Sequence, residues 1–234
     1  MPLGTGTTEL VLPGLEPAAA TVTEPKPVHW IERGPQKRLM VFSGRSHPEL
    51  AERITAQLGI QPGAATLETF ANGETYCRYD ESIRGADVFI VQTGCKPIDE
   101  HLMELLLLIQ AAKLASAKRI TAVMPLFPYA RQARKAKPRE PITARLVADM
   151  LQLAGADRIL TMDLHAGQIQ GFFNIPVDHL YSAPVMLEHI KAHYGNDIVV
   201  VSPDAGGVER ARAFAKRLNA SLAIIDKRRL SPNV

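Results

Sequence analysis

Residues 119–162 read RITAVM PLFPYARQARKAKPRE PITARLVADMLQL AGAD RILTM, and this stretch decides the fold. Arg119 to Met124 is a short apolar run that reads as a strand. Residues 125–140 are rich in Pro and Arg and predict a loop or a projecting hairpin. Pro141 to Leu153 reads as an amphipathic helix, and Arg158 to Met162 as the next strand. Strand, helix and strand in that order make a βαβ unit, which implies parallel pairing.

The same alternation extends outward. Upstream, Arg38 to Ser43 is a strand broken by Gly44. His47-Pro48-Glu49 opens a helix to about Gly59, with Pro in the first turn, where its missing N–H costs nothing. Ala65 to Phe70 and Thr75 to Asp80 read as strands around Asn72-Gly73, a strong turn signal. Asp87 to Gln92 is a strand and Glu100 to Ala115 a helix. Leu105 to Leu108 make that helix apolar on nearly all sides, which fits burial inside the domain or at a subunit interface. Downstream, a loop follows Met162. Then come a helix (Ala183 to Tyr194), a strand (Ile198 to Val201), a helix (Gly207 to Asn219) and a last strand (Leu222 to Asp226). The expectation is an α/β chain with a mostly parallel sheet. Residues 1 to about 36, rich in Pro, Gly, Thr and Ala without a period, read as a disordered leader.

Composition excludes several classes. The chain has 234 residues and a formal net charge of only +3, which makes no electrostatic case for nucleic acid. The two cysteines, Cys77 and Cys95, form no CxxC pair and no zinc-binding array. No stretch approaches the roughly 18–20 apolar residues of a membrane span. The most apolar run, Leu102 to Ala115, is broken by Glu104, Gln110 and Lys113. No basic and then apolar export signal opens the chain, so a soluble, cytoplasmic protein is expected.

Ligands of open α/β sheets bind at the carboxyl ends of strands, and three such ends carry suggestive residues. Met162-Asp163-Leu164-His165 offers an Asp and a His that share a face if the backbone stays extended. They suit either a divalent cation or a structural Asp–His hydrogen bond. Ser202-Pro203-Asp204-Ala205-Gly206-Gly207 offers a carboxylate and two glycines opening a helix. That suits a metal with a phosphate at the helix end, or a plain N-cap and tight turn. Asp226-Lys227-Arg228-Arg229 offers cations for an anion, or a solvated basic turn. The basic loop Tyr129 to Arg139 suits phosphate clamping, purine stacking or a soluble hairpin. Neither GxxxxGK[ST] nor GxGxxG is present. Together the three ends are the inventory for Mg²⁺ plus a polyphosphate.

The order of motifs is more specific. Phe42-Ser43-Gly44, His47-Pro48-Glu49-Leu50-Ala51, Phe70-Ala71-Asn72-Gly73-Glu74, Tyr129-Ala130-Arg131-Gln132 and Pro141-Ile142-Thr143-Ala144 are followed by Asp163-Leu164-His165-Ala166-Gly167-Gln168-Ile169-Gln170-Gly171-Phe172-Phe173, Ser202-Pro203-Asp204 and Lys227-Arg228-Arg229. From about Arg38 onward the chain resembles the ribose-phosphate pyrophosphokinases. The resemblance implies tandem phosphoribosyltransferase-like (Rossmann-like) α/β domains, with 37–180 as the N-terminal, ATP-binding one and 181–234 as an incomplete second. It implies transfer of pyrophosphate from Mg²⁺–ATP to ribose 5-phosphate, with AMP released, for nucleotide biosynthesis. It assigns Phe70, Asn72, Glu74, Arg131, Gln132 and His165 to ATP, His165, Asp204 and Asp163 to the metal, and Lys227 and Arg229 to catalysis. It further implies a homo-oligomer, commonly a hexamer, with ATP sites made across subunits.

Two departures stand out. The family's Arg-Gln-Asp-Arg reads Arg131-Gln132-Ala133-Arg134 here, removing a carboxylate. The family also continues past this point to a loop that binds ribose 5-phosphate, so the expectation is a C-terminally truncated chain, inactive alone. A non-catalytic relative that assembles with active subunits is the competing reading. A nucleic-acid module rests on the basic loop alone.

Overall fold

The computed structural model describes residues 38–195 and 197–226. The central element is a five-stranded, all-parallel sheet in the order β1-β4-β5-β6-β7. Its strands are β1 (Leu39–Ser43), β4 (Asp87–Val91), β5 (Arg119–Met124), β6 (Arg158–Met162) and β7 (Val177–Leu180). Between β1 and β4 lie α1 (Pro48–Leu58) and an antiparallel hairpin of β2 (Ala65–Thr69) and β3 (Thr75–Tyr79). The helix α2 (Ile98–Leu114) links β4 to β5, and α3 (Thr143–Ala154) links β5 to β6.

Period-two alternation sorts the strand residues onto two faces. Met40, Phe42, Val88, Ile90, Ile120, Ala122, Met124 and Ile159 meet α2 and α3, whose Leu105, Leu108, Ile109, Val147 and Leu151 are fully buried. Val41, Val91 and Val123 meet α1 through Ala51, Leu50 and Ile54. Helices on both faces explain why these strands read as continuous apolar runs. The apolar α2 is therefore a core helix, with Leu105 and Leu108 inside the domain and Leu106 and Leu107 half-buried. Each fully buried Leu or Ile of this layer contributes about 1.5–3 kcal/mol through burial.

Local chemistry sets the element ends. His47 Nδ1 accepts from Leu50 N–H at the start of α1, and Gly59 closes it in the left-handed conformation at φ 67°. In the hairpin turn, Gly73 adopts φ 92° and Asn72 Oδ1 accepts from Glu74 N–H at 3.1 Å.

The segment after Met162 departs from expectation. It is not a plain loop: residues Gly167–Phe172 form a 3-10 turn and β7 joins the sheet as a fifth strand. Val177 to Leu180 is short and contains Asp178 and His179, so no apolar run announced it. The basic segment 125–140 forms no hairpin; it is a loop with one 3-10 turn, Ala130–Gln132.

The last elements are α4 (Ala183–His193), β8 (Val199–Ser202), α5 (Val208–Leu218) and β9 (Ser221–Ile224). The strands β8 and β9 pair in parallel as a separate two-stranded sheet, with α5 as their crossover. The described residues form one compact unit.

Candidate functional site at the carboxyl edge of the sheet

The carboxyl ends of β4, β5 and β6 deliver three loops to one edge. The end of β4 carries Gln92, Thr93 and Gly94, all buried. Gly94 N–H donates to Leu126 O at 2.8 Å, and Thr93 Oγ1 accepts from Leu126 N–H at 3.2 Å. These bonds fix the start of the basic loop. Tyr129 follows in the left-handed conformation at φ 56°, and its hydroxyl donates to Asp99. That hydrogen bond holds the Tyr129 hydroxyl above its usual pKa range. Arg131 and Gln132 are exposed beyond it, with Gln132 Oε1 accepting from the Thr143 hydroxyl at the start of α3. Ala133 is buried and belongs to the core cluster.

At the end of β6 the backbone does not stay extended. Asp163 takes φ 46°, so Asp163 and His165 are not displayed as alternate residues of one strand face. The Asp163 carboxylate turns to Ser182, accepting from its N–H at 3.2 Å and from its hydroxyl. Leu164 N–H donates to His179 Nε2 at 2.9 Å. His165 is exposed and has no hydrogen-bond partner among the described residues. The Asp–His hydrogen bond that the spacing allowed is therefore not formed.

Three cavities surround this turn, and Leu164 and Arg210 line all of them. One of about 530 Å³ holds Arg131, Gln132, Asp163 and His165 together. A larger cleft of about 1100 Å³ holds His165 with Asp204, Gly206 and Gly207. The third, about 510 Å³, lies between Asp163, Ser182 and α5. His165 thus belongs to both the basic-loop cavity and the Asp204 cleft. Arg210, in the first turn of α5, escaped the sequence reading. Its only signal was its place just after Gly206-Gly207.

Asp204 caps the 3-10 turn Ala205–Gly207 that leads into α5: its Oδ1 accepts from Gly207 N–H at 3.0 Å, and Ser202 Oγ donates to Asp204 O at 2.8 Å. A Cβ on Gly207 would stand 2.9 Å from Ser202 Oγ, so glycine lets this turn close. The N-cap reading of the segment is realised. Oδ2 of Asp204, Oδ1 of Asp163 and the His165 ring have no hydrogen-bond partner among the described residues. No three His, Cys, Asp or Glu side chains cluster as a metal cage among the described residues. The donor set fits a cation taking one or two protein ligands with phosphate oxygens and water completing its shell, as Mg²⁺ does.

Phe70, Asn72 and Glu74 sit at the hairpin tip, with Phe70 half-exposed against Tyr76 at 5.6 Å between ring centroids. None of the three lines the cavities that hold Arg131, His165 and Asp204. Lys227 and Arg229 lie outside the described residues.

A parallel sheet flanked by helices, with its loops gathered at the carboxyl edge, is an α/β protein of the phosphoribosyltransferase-like class. Residues 39–155 match the family model of the N-terminal domain of ribose phosphate pyrophosphokinase, and the chain belongs to that family. It is 52% identical over 225 residues to a ribose-phosphate pyrophosphokinase of Gloeobacter violaceus, covering 96% of this chain and 66% of that one. It is 57% identical over 201 residues to one of Clostridium perfringens, covering 85% and 63%. The crystal structure of phosphoribosylpyrophosphate synthetase from Mycobacterium smegmatis superposes with a TM-score of 0.79 at 51% identity, covering 82% of this chain and 65% of that one. The chain thus spans a little under two-thirds of the length of these relatives.

Proposed function

We propose that this chain carries the nucleotide-binding part of a ribose-phosphate diphosphokinase, with residues 37–180 as its ATP-binding domain and the segment from 181 as the start of a second domain. In the proposed reaction the anomeric hydroxyl of ribose 5-phosphate attacks the β-phosphorus of ATP. A new O–P bond forms, the bond from the β-phosphorus to the oxygen bridging to the α-phosphate breaks, AMP leaves, and the hydroxyl proton is released to water. The observation that carries this reading is the position of His165, which borders both the Arg131–Gln132 cavity and the Asp204–Gly207 cleft.

Arg131 and Gln132 would hold the nucleotide from the basic loop. The Gly206 N–H, next to the Gly207 N–H that Asp204 holds, would meet a phosphate oxygen at the α5 entrance. His165 and Asp204, with Asp163 beside them, would hold Mg²⁺, which when bound neutralises charge on the transferred phosphates. Lys227 and Arg229 would spread the transition-state charge. The exposed Phe70, Asn72 and Glu74 tip would serve adenine bound to a neighbouring copy, which calls for a homo-oligomer, a hexamer on the family pattern. The competing reading, a regulatory relative that assembles with active subunits, is favoured by Ala133, which is buried where the family carries a carboxylate.

The test is calorimetric titration of the purified chain with ATP, with and without Mg²⁺, beside an assay for ribose 5-phosphate-dependent AMP release. Mg²⁺-dependent binding that His165→Ala weakens at least tenfold, about 1.4 kcal/mol, supports the site. Equal binding by the variant, or binding indifferent to Mg²⁺, overturns it. AMP release separates an active enzyme from a regulatory relative.

A further inference from the structure

We propose that His179 is a positioning residue: through a fixed tautomer it holds the backbone of the Asp163–Leu164–His165 turn in the shape that presents His165 to the cavities. Two independent observations carry this. The first is the hydrogen bond from Leu164 N–H to His179 Nε2 at 2.9 Å. An N–H can only donate, so Nε2 must be the unprotonated nitrogen and Nδ1 must carry the hydrogen. The second is that His179 Nδ1 and Thr161 Oγ1 are two of the buried side-chain polar atoms left without a hydrogen-bond partner among the described residues. They are not scattered, because Thr161 and His179 face each other in register across β6 and β7. Parallel register partners project to the same sheet face.

The two orphans answer each other's need. The Nδ1–H that the first bond requires is a buried donor, and leaving it unmade costs about 1–3 kcal/mol. Thr161 Oγ1 is an acceptor on the neighbouring strand, itself 1% exposed by residue. A hydrogen bond between them, direct or through one bridging water, would satisfy both. The chain of contacts is then Thr161 Oγ1, His179 Nδ1–H, His179 Nε2 and Leu164 N–H. It runs from the carboxyl end of β6, across β7, to the residue between Asp163 and His165.

The turn needs such a brace. Asp163 holds a left-handed conformation that L residues other than Gly adopt at a cost. Its carboxylate is tied to Ser182 on one side. Without the Leu164 bond, the buried Leu164 N–H would lose its partner and the turn could relax toward the extended path of the strand.

The inference rests on the nucleotide reading only in what the turn is for; the brace itself is tested without ligand. In the wild-type chain, well above the ordinary titration range of histidine, nitrogen-15 shifts of the His179 ring should report the Nδ1–H tautomer. The Nε2–H tautomer overturns the proposal outright. Amide exchange at Leu164 should accelerate at least tenfold in His179→Leu and about as much in Thr161→Val, and return to within threefold of wild type in His179→Gln, whose amide oxygen can reach the Nε2 position. Unchanged Leu164 exchange in His179→Leu overturns the brace. If that variant fails to fold, the ring tautomer and Thr161→Val decide. Mg²⁺–ATP affinity should fall at least tenfold in His179→Leu and recover in His179→Gln. If Leu164 exchange moves as stated while ATP binding is absent from wild type, the brace stands and the nucleotide reading fails.

Discussion

Removing Arg45 should destabilise the chain more than removing the acid it pairs with, because of which charge is left behind. Glu104 is 1% exposed, and Arg45 has a 40% exposed side chain. Glu104 Oε2 accepts from Arg45 Nε, while Oε1 accepts from Arg45 N–H at 2.7 Å and from Gln92 Nε2 at 2.8 Å. Arg45→Met takes away the counter-charge and strands a carboxylate in the core. Breaking a fully buried pair costs about 3–5 kcal/mol. Exposure of the guanidinium discounts this toward surface-pair values, leaving about 2–3 kcal/mol. Glu104→Gln keeps an amide oxygen for Arg45 N–H and leaves the half-exposed guanidinium free to turn to water, so its cost should be about 1 kcal/mol. The double variant removes both charges and should lie within about 1 kcal/mol of wild type, a coupling of roughly 2 kcal/mol or more. Urea unfolding followed by far-ultraviolet circular dichroism gives the four stabilities. Strict additivity, or Glu104→Gln costing more than Arg45→Met, refutes the reasoning. Arg45 also donates to Thr69 Oγ1 at 2.9 Å, at the base of the hairpin that bears Phe70.

Two further outcomes follow. Burial pushes the Tyr79 hydroxyl far above its usual pKa range, and it donates to Leu108 O at 2.9 Å. A folded-state pKa raised this way gives stability present below the unfolded value near 10 and lost as pH rises past it, by up to about 1.4 kcal/mol per pH unit. Urea midpoints measured from about pH 9 to pH 11 should therefore fall more steeply for wild type than for Tyr79→Phe, and parallel curves would contradict this. In Gly94→Ala the new Cβ would stand 2.7 Å from Leu126 O and 2.9 Å from Pro128 N, both backbone atoms. The loop must move as a body, so a loss of about 1–3 kcal/mol in urea unfolding is expected, together with weaker Mg²⁺–ATP binding in calorimetry; stability and affinity both matching wild type would count against it.

Much of this was legible in the chain. Alternation of apolar strands with amphipathic helices determined a parallel α/β sheet, because both faces of such strands must be buried and crossover helices do the burying. Asn72-Gly73 read as a turn between two strands because both residues suit the dihedral angles it needs. What escaped were features with no local signature. The strand Val177–Leu180 is half polar, and only pairing with β6 makes it a strand. The spacing of Asp163 and His165 suggested one shared strand face, but the left-handed Asp163 breaks the extended backbone that such a face needs, and the two meet only in the lining of a cavity. Arg210 reaches the edge only because α5 docks there. Residue type and period thus determined the layers and the stock of chemical groups. Tertiary structure alone decided which groups meet, because left-handed turns, cross-strand register and helix docking are settled by contacts between residues far apart in the chain.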